Sequence, residues 1–320
     1  MLSIALVVSA PAGASADTFG SGANTFTIDF VTVGNPGNPG DTNPIWPFLP
    51  AFGAVPYTYR IATYEISQAQ RHAAVASGLQ HMPPGYSGGD SLLPFTQIQW
   101  FVAASFVNWL NTSTGHQAAY DVTYQSGVEG GTWGMNLWSS GEAWTQGGTT
   151  NFYRNKDAYY FLPSEDEWYK AAYYNASASN YFLWPTASSD TPVAVTGGTA
   201  PGTAVYNPGG FPASWPSTAN DAGGLSPYGT MAQGGNASEW MESSYDGANT
   251  NVNAKRTVRG GSWTESVDVL ESLYRQEFSP NLSTDQNIGF RVASVPEPST
   301  WALLALSAAA LGVRALRRRI

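Results

Sequence analysis

Any chemistry in this chain has to come from carboxylates, aromatics and a few arginines, because the usual nucleophiles and soft ligands are missing. Its 320 residues include no cysteine, which removes disulfides, thiolate zinc sites, iron–sulfur clusters and every cysteine nucleophile. Only His72, His81 and His116 could act as imidazole bases, and none has nucleophile-elbow or metal-helix spacing. The glycine-rich turns lack a following Lys-Ser/Thr and are not phosphate loops. Paired carboxylates for glycoside hydrolysis stay open, since separation in space is not legible in a chain. Trp133, Trp138 and Trp144 fall among glycines at 130, 131, 134, 141, 147 and 148. They read either as a platform that stacks on sugar rings or as core anchors of a long insertion.

Charge narrows the partners. With 14 basic and 23 acidic residues the net charge is −9, and the pI near 4.7 argues against a nucleic-acid surface held by phosphate neutralisation. Arg314, Arg317, Arg318 and Arg319 crowd the last seven positions, so residues 17–295 carry 10 basic and 22 acidic side chains, a net −12. Those arginines close an ordered device: Pro296-Glu297-Pro298, then Ser299-Thr300, then an uncharged run from Trp301 to Val313. The run is short against the roughly 20 residues that span a bilayer, a deficit that snorkelling arginines and local thinning can offset. A C-terminal transmembrane helix is expected, with the arginines as a cytoplasmic membrane stop and the body outside. A helix packed on the core is the alternative. At the other end, Met1–Ala10 is apolar and Ala14-Ser15-Ala16 offers small residues. This predicts a signal peptide over 1–16 cut before Asp17, against a buried N-terminal strand.

The elements that must position the chemistry are short. Glycine (34) and proline (21) exclude many long helices, while 12 Trp, 17 Tyr and 14 Phe supply a core. Residues 17–56 read as a Gly/Pro/Asn-rich arm. An alternating strand is predicted over Tyr59–Ile66, and Ser67 with Gln70 forms a capping box that starts a helix at Gln68. A second, largely buried helix is predicted from Thr96 to Leu110. Ser164 and Glu167 make another capping box, with Glu165, Asp166 and Glu167 complementing the helix dipole. Residues 175–224 look irregular.

Five segments carry a family resemblance: Tyr-Glu-Ile-Ser at 64–67, Leu-Pro-Ser-Glu-Asp-Glu-Trp at 162–168, Gly-Asn-Ala-Ser-Glu-Trp at 235–240, Arg-Gly-Gly-Ser-Trp at 259–263 and Gly-Phe-Arg-Val-Ala at 289–293. Together they resemble the formylglycine-generating enzyme (sulfatase-modifying factor) family. The resemblance implies one loop-rich α+β domain of C-type-lectin-like fold over 57–293. The tail from 296 to 320 resembles the PEP-CTERM sorting signal. That implies export, transient anchoring in the inner membrane, removal by an exosortase near Pro296-Glu297-Pro298, and a secreted or cell-surface product.

Family oxidases use two thiols that bind copper(I); the corresponding positions here are Glu265 and Leu270, neither a soft donor, so no copper is expected. The family also implies a calcium site formed by the carbonyls of Gly235 and Ala237 and the carboxylate of Glu239. Here Ala232 replaces an oxygen donor of that site and Ser238 a tryptophan, and Asn236 and Glu239 alternatively satisfy the turn backbone. Trp263, Glu265 and Arg291 are the ligand-binding candidates, with Glu265 either recruited to a new role or a solvated loop acid. The resulting expectation is a non-oxidase, exported matrix protein that binds a ligand such as exopolysaccharide, with no nucleic-acid partner. The alternative is an enzyme of altered chemistry in the family cleft.

Overall fold

The computed structural model describes residues 15–42, 50–83, 92–126, 131–146, 148–209, 215–282 and 287–295. Along the chain run β1 (Ser15–Phe19), β2 (Phe26–Val33), β3 (Tyr59–Ala62), α1 (Gln68–Ala76) and α2 (Trp100–Ser113). Two hairpins follow, β4 (Asp121–Gln125) with β5 (Thr132–Asn136) and β6 (Ala143–Gln146) with β7 (Thr149–Asn155). Next come β8 (Tyr160–Phe161), α3 (Glu165–Tyr173) and the short pairs β9 (Tyr174–Asn175) with β10 (Asn180–Tyr181) and β11 (Val193–Ala194) with β12 (Thr203–Ala204). The chain closes with β13 (Ser238–Ser244), β14 (Arg256–Arg259), β15 (Gln276–Phe278), β16 (Ile288–Gly289) and β17 (Ala293–Ser294).

Two sheets organise these pieces. One is antiparallel in the order β1-β2-β3-β17-β8; the other runs β15-β14-β13-β16 with a parallel β13–β16 pair. A shared core joins Phe30, Ile61 and Phe161 of the first sheet to Phe106, Val107 and Leu110 of α2 and to Trp240 and Val258 of the second. Indole donors lock α2 to β13: Trp100 Nε1 donates to Met241 O (2.9 Å) and Trp240 Nε1 to Ile98 O (3.0 Å). Both predicted capping boxes form, each with reciprocal bonds.

Three expectations change. The arm contributes β1 and β2 to the first sheet, with Ile28, Phe30 and Val33 buried on alternate positions; Gly/Pro density around residues 34–40 hides the period-2 strand just before it. The strand predicted to Ile66 ends at Ala62 with all four residues buried, as expected of a central strand flanked by β2 and β17. The second helix starts at Trp100, because Gln97 sits at φ +59, outside helical space. The predicted cut before Asp17 falls within β1, where Ser15 and Ala16 pair with Phe30 and Asp29. The C-terminal transmembrane helix, Pro296-Glu297-Pro298, the arginine stop and residues 1–14 lie outside the described residues. Among the described residues no helix is long and apolar enough to cross a membrane.

Candidate functional site

The acids and arginines of the five segments find each other. Arg291 donates through Nε and Nη2 to both oxygens of Glu239 (2.6–3.0 Å) and through its guanidinium to the carbonyls of Ala62, Thr63 and Met231. Trp168 Nε1 donates to the same carboxylate (2.8 Å). Glu65 lies against this pair and accepts from Asn236 Nδ2 (2.5 Å) and Ala237 N (2.9 Å). Burial, then the charge of Glu239, pushes Glu65 up to about 8. Arg154 bridges Glu167 (2.8 Å) and Glu242 (2.8 Å) in full burial. Burial works to raise both acids, but Arg154 prevails at Glu167 and holds it low, while Glu242 stays raised. Glu165 accepts from Arg259 Nε (2.7 Å) and from Arg275 (2.5 and 2.9 Å). The motifs are therefore internal rivets between elements.

The functional surface lies beside these rivets. A cleft of about 560 Å³ opens over the first turn of α3. Its walls are the 50–57 segment, the β6–β7 hairpin, the turn after β13 and Arg275. Gly53 pins one wall: its N–H donates to Asp166 Oδ1 (2.8 Å) and its carbonyl accepts from Asn38 Nδ2 (2.7 Å). Only glycine fits, since φ is +85 and a Cβ would lie 2.8 Å from the Tyr169 ring and from the Tyr181 hydroxyl. Tyr57, Trp144 and Tyr245 are half-buried in the lining, joined by the amides of Gln146, Asn151 and Asn249. Tyr57 OH donates to Glu167 Oε1 (2.6 Å) and its ring meets Trp144 edge-on at 5.8 Å. Asp166, half-buried, has its pKa raised by burial to about 6. Asp246 is exposed and held low by Ser244 Oγ and Ala248 N–H. The arrangement offers aromatic rings, the half-buried Gln146 amide and carboxylates in one groove, while Asn151 is bonded to Glu242 and Tyr153 N and Asn249 Oδ1 to Ser244; none of the three histidines is among its lining residues.

Residues 50–295 match the sulfatase-modifying factor enzyme 1-like domain. The chain belongs to this family. Residues 294–319 match the PEP-CTERM protein-sorting motif, which marks a substrate for exosortase and for export to the cell surface. Among solved structures the chain is similar to Treponema denticola variable protein 1 (18% identity, TM-score 0.54, covering 88% of this chain and 99% of that one). It is also similar to CarF (19%, 0.55, 84% and 99%) and to PvdO from Pseudomonas aeruginosa (16%, 0.54, 88% and 98%). At such identities the likeness is one of fold. A search of curated proteins finds no match.

Within this sulfatase-modifying-factor-like domain, the residues singled out from sequence serve the scaffold. The positions of the family thiols hold Glu265, which accepts from Ser262 N (2.9 Å), Ser238 Oγ (3.2 Å) and Gln276 Nε2 (3.0 Å), and Leu270, fully buried beside Trp184 and Tyr206. A carboxylate and a hydrocarbon do not fit copper(I). Glu265 is thus held by three donors rather than free in solvent. Trp263 is 3% exposed and Arg291 0%, so neither can meet a ligand, and none of Trp263, Glu265 and Arg291 lines the cleft. Calcium fits the Gly235, Ala237 and Glu239 set no better. The Glu239 carboxylate is covered by an arginine and an indole N–H, and Asn236 bonds Glu65 and Ser217 N. A divalent cation would have to share its carboxylate with a guanidinium. Among the described residues no group of three or more His, Asp or Glu is arranged to hold a metal. The three tryptophans part company: Trp144 lines the main cleft, Trp133 a separate one with His81 and Tyr124, and Trp138 Nε1 donates to Ala119 O. Of the main cleft, sequence reading reached Trp144 as a binding candidate and Ser164, Glu165 and Asp166 only as helix-start residues; Tyr57 and Asn249 had no motif to mark them.

Proposed function

We propose that the protein is a non-oxidase binding module of the extracellular matrix whose cleft holds a segment of polysaccharide. The observation that carries this reading is the lining of the cleft: Tyr57 and Trp144 are half-buried beside Gln146, Asn151, Asn249 and Asp166. Sugar rings offer apolar C–H faces to aromatic rings and hydroxyls to amides and carboxylates. An export and sorting signal at the C-terminus suits a matrix ligand. The signal peptide over 1–16, transient inner-membrane anchoring and exosortase removal of the tail belong to the same proposal. Retention of the exported protein on immobilised exopolysaccharide tests it. Trp144→Ala is expected to lose at least about tenfold in affinity, of the order of one stacking contact, and an unchanged affinity refutes this site. Mass spectrometry of the native C-terminus tests sorting, since an intact Ile320 on surface-exposed protein contradicts processing.

One observation favours a second reading, hydrolysis in the same cleft: Asp166 has its pKa raised to about 6, which suits a general acid. Released oligosaccharide that disappears in Asp166→Asn would support it over simple binding.

A further inference from the structure

Every cation of the cleft is already matched, whereas its carboxylates are not. Arg154 is 2% exposed and divided between Glu167 and Glu242. The Arg275 side chain is 11% exposed, with two bonds to Glu165 and one each to Tyr245 O and Thr257 Oγ1. No lysine lines the groove. Of the three acids in the lining, Glu165 is taken by Arg259 and Arg275. Among the described residues Asp166 and Asp246 form no ion pair: Asp166 accepts from the Gly53 N–H, and Asp246 from the Ala248 N–H and the Ser244 hydroxyl, with Arg259 and Arg256 acting on them only from a distance. The positive end of α3 offers no counterweight, since Glu165, Asp166 and Glu167 already fill its first turn. The body around the cleft carries −12, which adds to the same field.

A uronate or sulfated sugar entering this groove would meet two carboxylates and no available guanidinium, a like-charge arrangement that disfavours binding. An ammonium group would find Asp166 and Asp246 in the lining together with the half-buried rings of Tyr57 and Trp144, to which cations are attracted, Trp144 already carrying the Arg154 guanidinium 5.5 Å from its ring centroid. We propose that the cleft selects polysaccharide bearing free amino groups, with Asp166 as the anion that receives the ammonium. The selection rests on the polysaccharide reading above. At neutral pH a carboxyl titrating near 6 is mostly ionised, so the charge is present where it is needed.

The test titrates the full-length protein at about pH 6.5 with labelled oligomers of equal length: glucosamine, N-acetylglucosamine, glucuronic acid and, as a peptide cation, lysine. The glucosamine oligomer is expected to bind about tenfold or more tightly than its N-acetylated form, with the glucuronic acid oligomer weakest. Asp166→Asn keeps an oxygen for the Gly53 N–H and is expected to reduce the glucosamine preference to under about threefold, with a melting curve run beside it. Salt gives an independent readout on the unaltered protein. The preference should shrink as ionic strength rises toward about 1 M, where screening acts within about 3 Å. Equal binding of the two hexosamine oligomers, a preference that survives Asp166→Asn or salt, or tighter binding of the glucuronic acid oligomer overturns the charge selection while leaving a cleft that binds; tighter binding of the lysine oligomer keeps the charge selection and overturns the polysaccharide reading. Binding of no oligosaccharide overturns the polysaccharide reading itself.

Discussion

Replacing Glu65 by glutamine should give a stability difference from the parent whose sign depends on pH. Glu65 is 1% exposed and, in the folded protein, keeps its proton up to about pH 8 against an ordinary value of 4.5. Between those values the folded state binds more protons than the unfolded one, so the contribution of Glu65 is fully present below about pH 4.5 and is lost as pH rises toward 8. At about 1.4 kcal/mol per pH unit, the interval corresponds to as much as about 5 kcal/mol. Glutamine does not titrate, but its amide N–H₂ would face either the Asn236 Nδ2 or the Ala237 N–H donor that the carboxyl oxygens accept. That conflict costs about 1–3 kcal/mol at every pH. Glu65→Gln is therefore expected to be less stable than the parent near pH 4.5, and equal or more stable near pH 8. The assay is urea unfolding of both proteins at half-unit intervals across that range, uncomplicated by thiol exchange because the chain has no cysteine. Glu242 and Asp166, raised in the same sense, and Glu167, lowered, titrate in both proteins and largely cancel in the difference. A stability difference that stays flat from pH 4.5 to 8 would refute the reasoning, showing that Glu65 is ionised in the fold at ordinary pH.

Three further outcomes follow from the same contacts. Arg154→Met leaves Glu167 and Glu242 buried without a cation and should cost about 3–5 kcal/mol in urea unfolding; a loss under about 1 kcal/mol would mean the two acids find other partners. Gly235→Ala puts a Cβ 2.2 Å from Val205 O at φ +83, so a loss of at least about 3 kcal/mol or failure to fold is expected, and a melting point within a few degrees of the parent would contradict the backbone geometry. Millimolar calcium and its removal by chelator should leave the melting temperature unchanged, because the Glu239 carboxylate is held by Arg291 and Trp168; a rise with calcium concentration would show a site that binds the folded state.

How much of this could be read from the chain depends on what kind of force fixed each feature. The capping boxes at Ser67 and Ser164 were legible because their partners lie three residues apart and the bonds are local. The strand at Phe26–Val33 was missed for a local reason as well, since the neighbouring Gly/Pro run masks a sound alternation. The site failed for a different one. Arg291, Glu239, Glu65 and Trp263 belong to matching motifs, and a motif marks residues that the fold cannot exchange without indicating why. Here the reason is that a loop-rich domain with short strands has little regular hydrogen bonding to hold distant segments. Buried guanidinium groups do that work, joining Arg291 to the Glu239 carboxylate and to the carbonyls of Ala62 and Met231, Arg154 to Glu167 and Glu242, and Glu165 to Arg259 and Arg275. Such pairs specify which segments meet, and they are fully desolvated, so they are withdrawn from any ligand. Cleft residues are tied in less uniformly: Gln146 and Asp246 sit at a strand end and in a turn and belong to no rivet, whereas Tyr57 OH donates to Glu167 and Asn249 Oδ1 accepts from Ser244. In this domain binding specificity belongs to the residues beside the motifs, and Asp166 is the point of contact between the two sets, placed by the Ser164–Glu167 cap yet left without a cation.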